Sequence, residues 1–120
     1  MDRRKELKFA YKQTPTPMGV YQLTNKLNGK ILIGSSMNLP GKKNSILFQL
    51  KQGAHRVKEL QADWIASGPD AFDFEVLENL KHEKIAVDQW RGAVTALENK
   101  WLAALQPYGD RGYNNKPKEK

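Results

Sequence analysis

The sequence predicts an α/β (α+β) domain in which a small three-stranded antiparallel sheet is flanked by helices, and three observations predict it. Gly19-Val20-Tyr21-Gln22-Leu23-Thr24 and Lys30-Ile31-Leu32-Ile33-Gly34 are two strand-like runs joined through Asn28-Gly29, a pair that supplies the positive φ angles of a hairpin turn. Phe72, Phe74 and Val76 alternate with acids in Phe72-Asp73-Phe74-Glu75-Val76-Leu77, the pattern of a half-buried third strand pairing with that hairpin. Trp90, Val94, Leu97, Trp101 and Leu105 recur at steps of three and four, the spacing of one helix face. A chain of 120 residues with 39% apolar residues can bury one modest core, so these elements belong to one domain.

Taken in order, residues 1–17 read as a short N-terminal helix over Met1 to Gln13, followed by the linker Thr14-Pro15-Thr16-Pro17, where proline favours extended geometry. The domain proper spans 18–114. After the hairpin, Ser35-Ser36 leads to a Pro40-Gly41-Lys42-Lys43 corner and then to a helical pattern carried by Ile46, Leu47 and Leu50 and closed by Gly53. A second helix from about Arg56 to Ser67 places Val57, Leu60 and Trp64 on one face, with Gly68-Pro69 as its stop. The third strand follows. The longest helix is expected from about Glu83 to Leu105, ended by Pro107 and Gly109, and residues 115–120 read as a disordered basic tail.

Charge is segregated along the chain. The net charge is +7, and from Leu7 to Lys58 there are nine cations (Lys8, Lys12, Lys26, Lys30, Lys42, Lys43, Lys51, Arg56, Lys58) and no acid. From Glu59 to Glu98 nine acids face only Lys81, Lys84 and Arg91. A concentrated positive field attracts a polyanion and gains affinity by counterion release, which makes nucleic acid the leading partner, with Lys30, Lys42, Lys43 and Arg56 as candidate phosphate contacts. The absence of cysteine excludes thiolate catalysis, disulfides and Cys-ligated zinc. No apolar run approaches the roughly 18 residues of a membrane span, and the charged start Met1-Asp2-Arg3-Arg4-Lys5 has no apolar segment behind it, so a soluble, cytoplasmic protein is expected.

With this order of elements in place, the span from Met18 to Asn114 resembles the GIY-YIG nuclease superfamily. Gly19-Val20-Tyr21 is similar to the first motif and Leu32-Ile33-Gly34 to the second, and Ser35-Ser36-Met37-Asn38-Leu39 is similar to the usual continuation. His55, Glu98 and Gly112-Tyr113-Asn114 fall in the family's order and approximate spacing. The resemblance implies hydrolysis of DNA phosphodiesters with a divalent cation, Mg²⁺ or Mn²⁺, held by a glutamate. Such a reaction must deprotonate a water, neutralise an anionic transition state and stabilise the leaving oxygen.

By resemblance, Tyr21 matches the first tyrosine, His55 the accessory histidine, Glu98 the metal-binding glutamate and Asn114 the late polar residue that ties the site together. Two positions depart. Leu32 stands where the second tyrosine is expected, and Lys42 stands where the arginine is expected, keeping charge without the bidentate fork. Each residue also has an ordinary reading: Tyr21 as filler of the strand face it shares with Leu23, His55 as a helix-start residue, Lys42 and Lys43 as a solvated pair, Lys30 as a solvated turn residue. Glu98 sits among Val94, Trp101 and Leu102 on the apolar edge of its helix, where a carboxylate needs a partner, either a cation or a hydrogen bond to Tyr21 or a lysine.

Tyr21 and Leu32 are expected to approach Glu98 from the same side, in one depression with Lys42 or His55. The function expected is a metal-dependent endonuclease of reduced activity acting on DNA with little sequence preference. The alternatives are a catalytically degenerate nucleic-acid-binding module or, given the acid-rich second half, a protein-interaction domain.

Overall fold

The computed structural model describes residues 17–115. The expected N-terminal helix and the tail beyond residue 115 lie outside the described residues. Strands β1 (Gly19–Asn25), β2 (Ile31–Ser36) and β3 (Phe72–Asn79) form one antiparallel sheet with β1 in the middle, in the order β2-β1-β3. The hairpin between β1 and β2 turns at Gly29, φ 78°, while Asn28 keeps a negative φ and instead accepts from the Lys30 N–H through its side chain. Only one of the two turn residues therefore supplies the positive φ angle expected of both. The pairing of β1 with β3 shifts between Val20 and Tyr21, where Val20 faces Glu78 and Tyr21 faces Val76. This bulge is the kind of irregularity that re-aims a side chain beside a site.

Helices α1 (Leu39–Lys51) and α2 (Lys58–Ser67) precede β3, and α3 (Trp90–Leu105) follows it. Pro40-Gly41-Lys42-Lys43 is not a corner outside α1 but its first turn: the Asn38 side chain caps the helix by accepting from the Gly41 N–H at 3.0 Å, and proline is tolerated where the helix has no N–H partner to offer. The second helix begins at Lys58, two residues later than expected. The last begins at Trp90, seven residues later than expected, because residues 82–89 are spent on two single 3-10 turns, His82–Lys84 and Val87–Gln89. The Trp90 indole N–H donates to the Ile85 carbonyl at 2.9 Å and fastens that approach.

Strand alternation puts Tyr21, Leu23, Leu32 and Phe72 on one face, where they cluster with Leu39, Ile46 and Leu50 of α1 and Leu60 and Trp64 of α2. Leu23, Leu50 and Leu60 are fully buried, each contributing about 1.5–3 kcal/mol relative to exposure. The other face carries Val20, Ile33 and Ser35 and meets α3, which contacts both β1 and β2. There Glu78 of β3 accepts from the Trp101 indole N–H at 2.9 Å and from Lys100 at 3.0 Å. The sheet is thus covered on both faces, leaving β2 as one outer edge. No described helix is long and apolar enough to cross a membrane.

Candidate active site

The outer edge of β2 is where side chains from both faces of the sheet meet. Tyr21, on the α1/α2 face, stacks its ring on Phe74 with centroids 5.1 Å apart and extends over Gly34 of the edge strand. A Cβ on Gly34 would lie 2.3 Å from the Tyr21 hydroxyl, so only glycine lets the phenol cross there. Burial, reinforced by the negative charge of Glu98 and opposed by Arg56, pushes the Tyr21 phenol up to about 12. At neutral pH it is a hydrogen-bond donor and remains protonated.

Glu98 arrives from the opposite face. It lies on α3, and the Ser35 hydroxyl, on the α3 side of β2, donates to its Oε1. Contrary to the expected approach from the same side, Tyr21 and Glu98 come from opposite faces of the sheet and converge around the edge of β2. The result is a depression of about 740 Å³ lined by Tyr21, Leu32, Lys42, His55, Glu98 and Asn114, among others. All three helices, β1, β2, the connection between α1 and α2, and the chain after α3 contribute, and the four residues matched by resemblance are brought together with Lys42.

The surroundings define what each can do. Lys42 sits half-buried in the first turn of α1. His55 lies between α1 and α2, where its backbone N–H donates to Gln61 Oε1 at 3.0 Å and Gln61 Nε2 donates to the Leu50 carbonyl at 2.9 Å. The Val57 N–H donates to His55 Nδ1 at 3.1 Å, which puts the proton of the neutral ring on Nε2. Burial first, then the charges of Arg56 and Lys42, hold the His55 imidazole below its ordinary range, so it is a neutral donor at pH 7. Asn114 has both ends of its carboxamide on β2, accepting from Ile33 N and donating to Ile33 O, each at 2.8 Å. Its neighbour Tyr113 donates to Asp63 at 2.7 Å and accepts from Asn25 at 3.0 Å, locking the returning chain beneath the hairpin. Asn114 thus fixes the edge strand and leaves phosphate contact to others.

Lys30 and Lys43 lie elsewhere. The Lys30 ammonium is engaged by Glu59 and rests 5.7 Å from the Tyr113 ring centroid. Lys43 lies over Phe74, 5.9 Å from its centroid, beside a separate apolar groove with Leu39 and Val76. Arg56 does line the depression. Ser35 and Gln61, which hold Glu98 and His55, were not singled out from sequence; strand parity hides the first, and the second is a glutamine on the buried face of α2, an unusual place for that residue type.

No cluster of three or more His, Asp or Glu side chains of metal-binding geometry occurs among the described residues. The donor set still fits a hard divalent cation, because Mg²⁺ is commonly held by one or two carboxylates with water and substrate phosphate oxygens completing the shell. Glu98 supplies one such carboxylate, with Oε1 oriented by Ser35.

No family model matches the chain. Over 96 residues, 80% of its length, it is 28% identical to Intron-associated endonuclease 1 of Enterobacteria phage T4, and the match spans 36% of that relative, so the chain corresponds to about a third of it. Two solved structures of the catalytic domain of intron endonuclease I-TevI share its fold with a TM-score of 0.67 each. One, a glutamate-to-alanine mutant, is 25% identical and matches 82% of this chain and 93% of that one. The other is 27% identical and matches 83% and 99%. In sequence and in structure the chain is homologous to the GIY-YIG catalytic domain of I-TevI, as a divergent relative.

Proposed function

We propose that the chain is an endonuclease domain that binds DNA with little sequence preference in the cytoplasm and hydrolyses its phosphodiester bonds slowly, using Mg²⁺ or Mn²⁺ at Glu98. The observation that carries this reading is the convergence of Tyr21, His55 and Glu98, from three separate parts of the chain, on one depression. Homology to an intron endonuclease domain supports the same reaction class. The cation, when bound, would polarise the phosphate and offset charge on the leaving oxygen. The Tyr21 hydroxyl and His55 Nε2 each carry a proton they can donate, suited to orienting the attacking water or a non-bridging phosphate oxygen. Lys42 neutralises charge beside them. With Glu98 assigned to the cation, what is missing is a ready proton acceptor: the Tyr21 phenol is pushed up to about 12, His55 Nδ1 already accepts from Val57, and Leu32 presents hydrocarbon. Slow turnover follows from that lack.

The test is relaxation of supercoiled plasmid with Mg²⁺ and with Mn²⁺. Slow, metal-dependent nicking lost in Glu98→Ala is the expected result; nicking that survives Glu98→Ala removes the metal assignment. Binding without any nicking would favour the second reading, a nucleic-acid-binding module, for which the apolar wall at Leu32 is the specific support.

A further inference from the structure

We infer that Arg56 has taken over the forked phosphate clamp that Lys42 cannot provide, entering the same depression from the loop between α1 and α2. The inference rests on the nuclease reading above and concerns which side chain grips the phosphate. Arg56 and Lys42 both line the depression, yet they are carried by different elements: Lys42 by the first turn of α1, Arg56 by the connection after it. The backbone on either side of Arg56 is held, because the His55 N–H is bonded to Gln61 and the Val57 N–H to the His55 ring. A fixed backbone with an exposed side chain suits a clamp, since binding then costs only the side chain's freedom and not the loop's.

The guanidinium is also available. Ion pairs among the described residues join Lys26 to Asp73, Lys30 to Glu59 and Lys100 to Glu78, and none engages Arg56. Its positive charge is felt at both the Tyr21 phenol and the His55 ring, which places it electrostatically with the two donors rather than on a remote surface. A planar guanidinium can bond two phosphate oxygens at once, whereas Lys42 is a point charge. The chain thus keeps one fork and one point charge at the depression, with the fork at residue 56 instead of at residue 42.

The experiment measures binding of the full chain to a short DNA duplex by fluorescence anisotropy across a salt series. Arg56→Ala should weaken binding about tenfold and lower the slope of log affinity against log salt by about 0.9, the loss of one phosphate contact. Lys51→Ala removes the same charge from an exposed position outside the depression and should change affinity by less than about twofold. Arg56→Lys keeps the charge and should keep the slope, yet lose about fivefold in affinity with the fork; adding Lys42→Arg to it should recover most of that loss. If the native chain fails to bind even at low salt, the DNA reading itself falls. If it binds but Arg56→Ala behaves like Lys51→Ala, or Lys42→Arg gives Arg56→Lys no recovery, only the Arg56 assignment is overturned.

Discussion

The side-chain carboxamide of Asn114 grips both backbone groups of Ile33, accepting from its N–H and donating to its carbonyl at 2.8 Å each. Together with the Tyr113 N–H, which donates to the Ile31 carbonyl at 2.8 Å, it extends the sheet past β2. An edge strand otherwise presents unpaired groups, and here the strand forms the floor of the site. Asn114→Ala removes two hydrogen bonds at once and should cost about 1–3 kcal/mol, read as a lower urea midpoint at unchanged slope. An unchanged midpoint would mean that the clasp contributes nothing to the fold.

Gly34→Ala tests the crossing of the Tyr21 phenol over β2. The new methyl would sit 2.3 Å from the hydroxyl and 2.5 Å from Cζ, so the ring, held on Phe74, must shift. The expected cost is about 1–3 kcal/mol, as for overpacking elsewhere. The same substitution in a Tyr21→Leu background should be close to neutral, giving a coupling energy of the order of 1 kcal/mol or more. Additive effects in that double-mutant cycle would show that the two residues do not compete for space.

Much of this arrangement was legible in the sequence, and the parts that were not share a cause. Period-two alternation marked β3, and the Asn28-Gly29 signal marked the hairpin, because both are local. Trp90 is three- and fourfold spaced with the rest of α3, but the residues before it break the helix with 3-10 turns that apolar spacing alone does not reveal. The meeting of Tyr21 with Glu98 is non-local: alternation assigns each strand residue to a face, while the convergence happens around an edge, through Ser35, which parity places away from Tyr21. Arg56 beside His55 was visible as charge; that it turns into the depression is a property of the loop, held by Gln61 six residues downstream of His55.

The depressed His55 ring has a consequence for stability. Its folded pKa lies below the ordinary 6.5, chiefly through burial, with Arg56 and Lys42 adding repulsion. Between the folded value and 6.5 the unfolded chain binds more protons, so this contribution is complete above 6.5 and is lost as pH falls below it. His55→Gln should flatten the decline of the urea midpoint in that window. A native chain whose midpoint falls no faster than that of the variant would remove the linkage.

Restoring the two departed positions addresses the chemistry directly. Leu32 is 8% exposed and paired with Leu23, yet it lines the depression, so a tyrosine ring there can point its hydroxyl outward at the cost of some repacking. General acid or base groups contribute about 10² to 10⁴ in rate, so Leu32→Tyr should raise Mg²⁺-dependent nicking by a large part of that range. Lys42→Arg should add little alone, because Arg56 already brings a fork to the same depression. Glu98→Ala in the doubly restored chain should abolish the gain, since the carboxylate oriented by Ser35 is the proposed metal ligand. If the doubly restored chain stays folded and binds DNA but nicks no faster than the native one, the site lacks more than those two groups, and the non-catalytic reading prevails. If instead Lys42→Arg alone gives the larger gain, the forked clamp was the limiting defect, and Arg56 does not supply it.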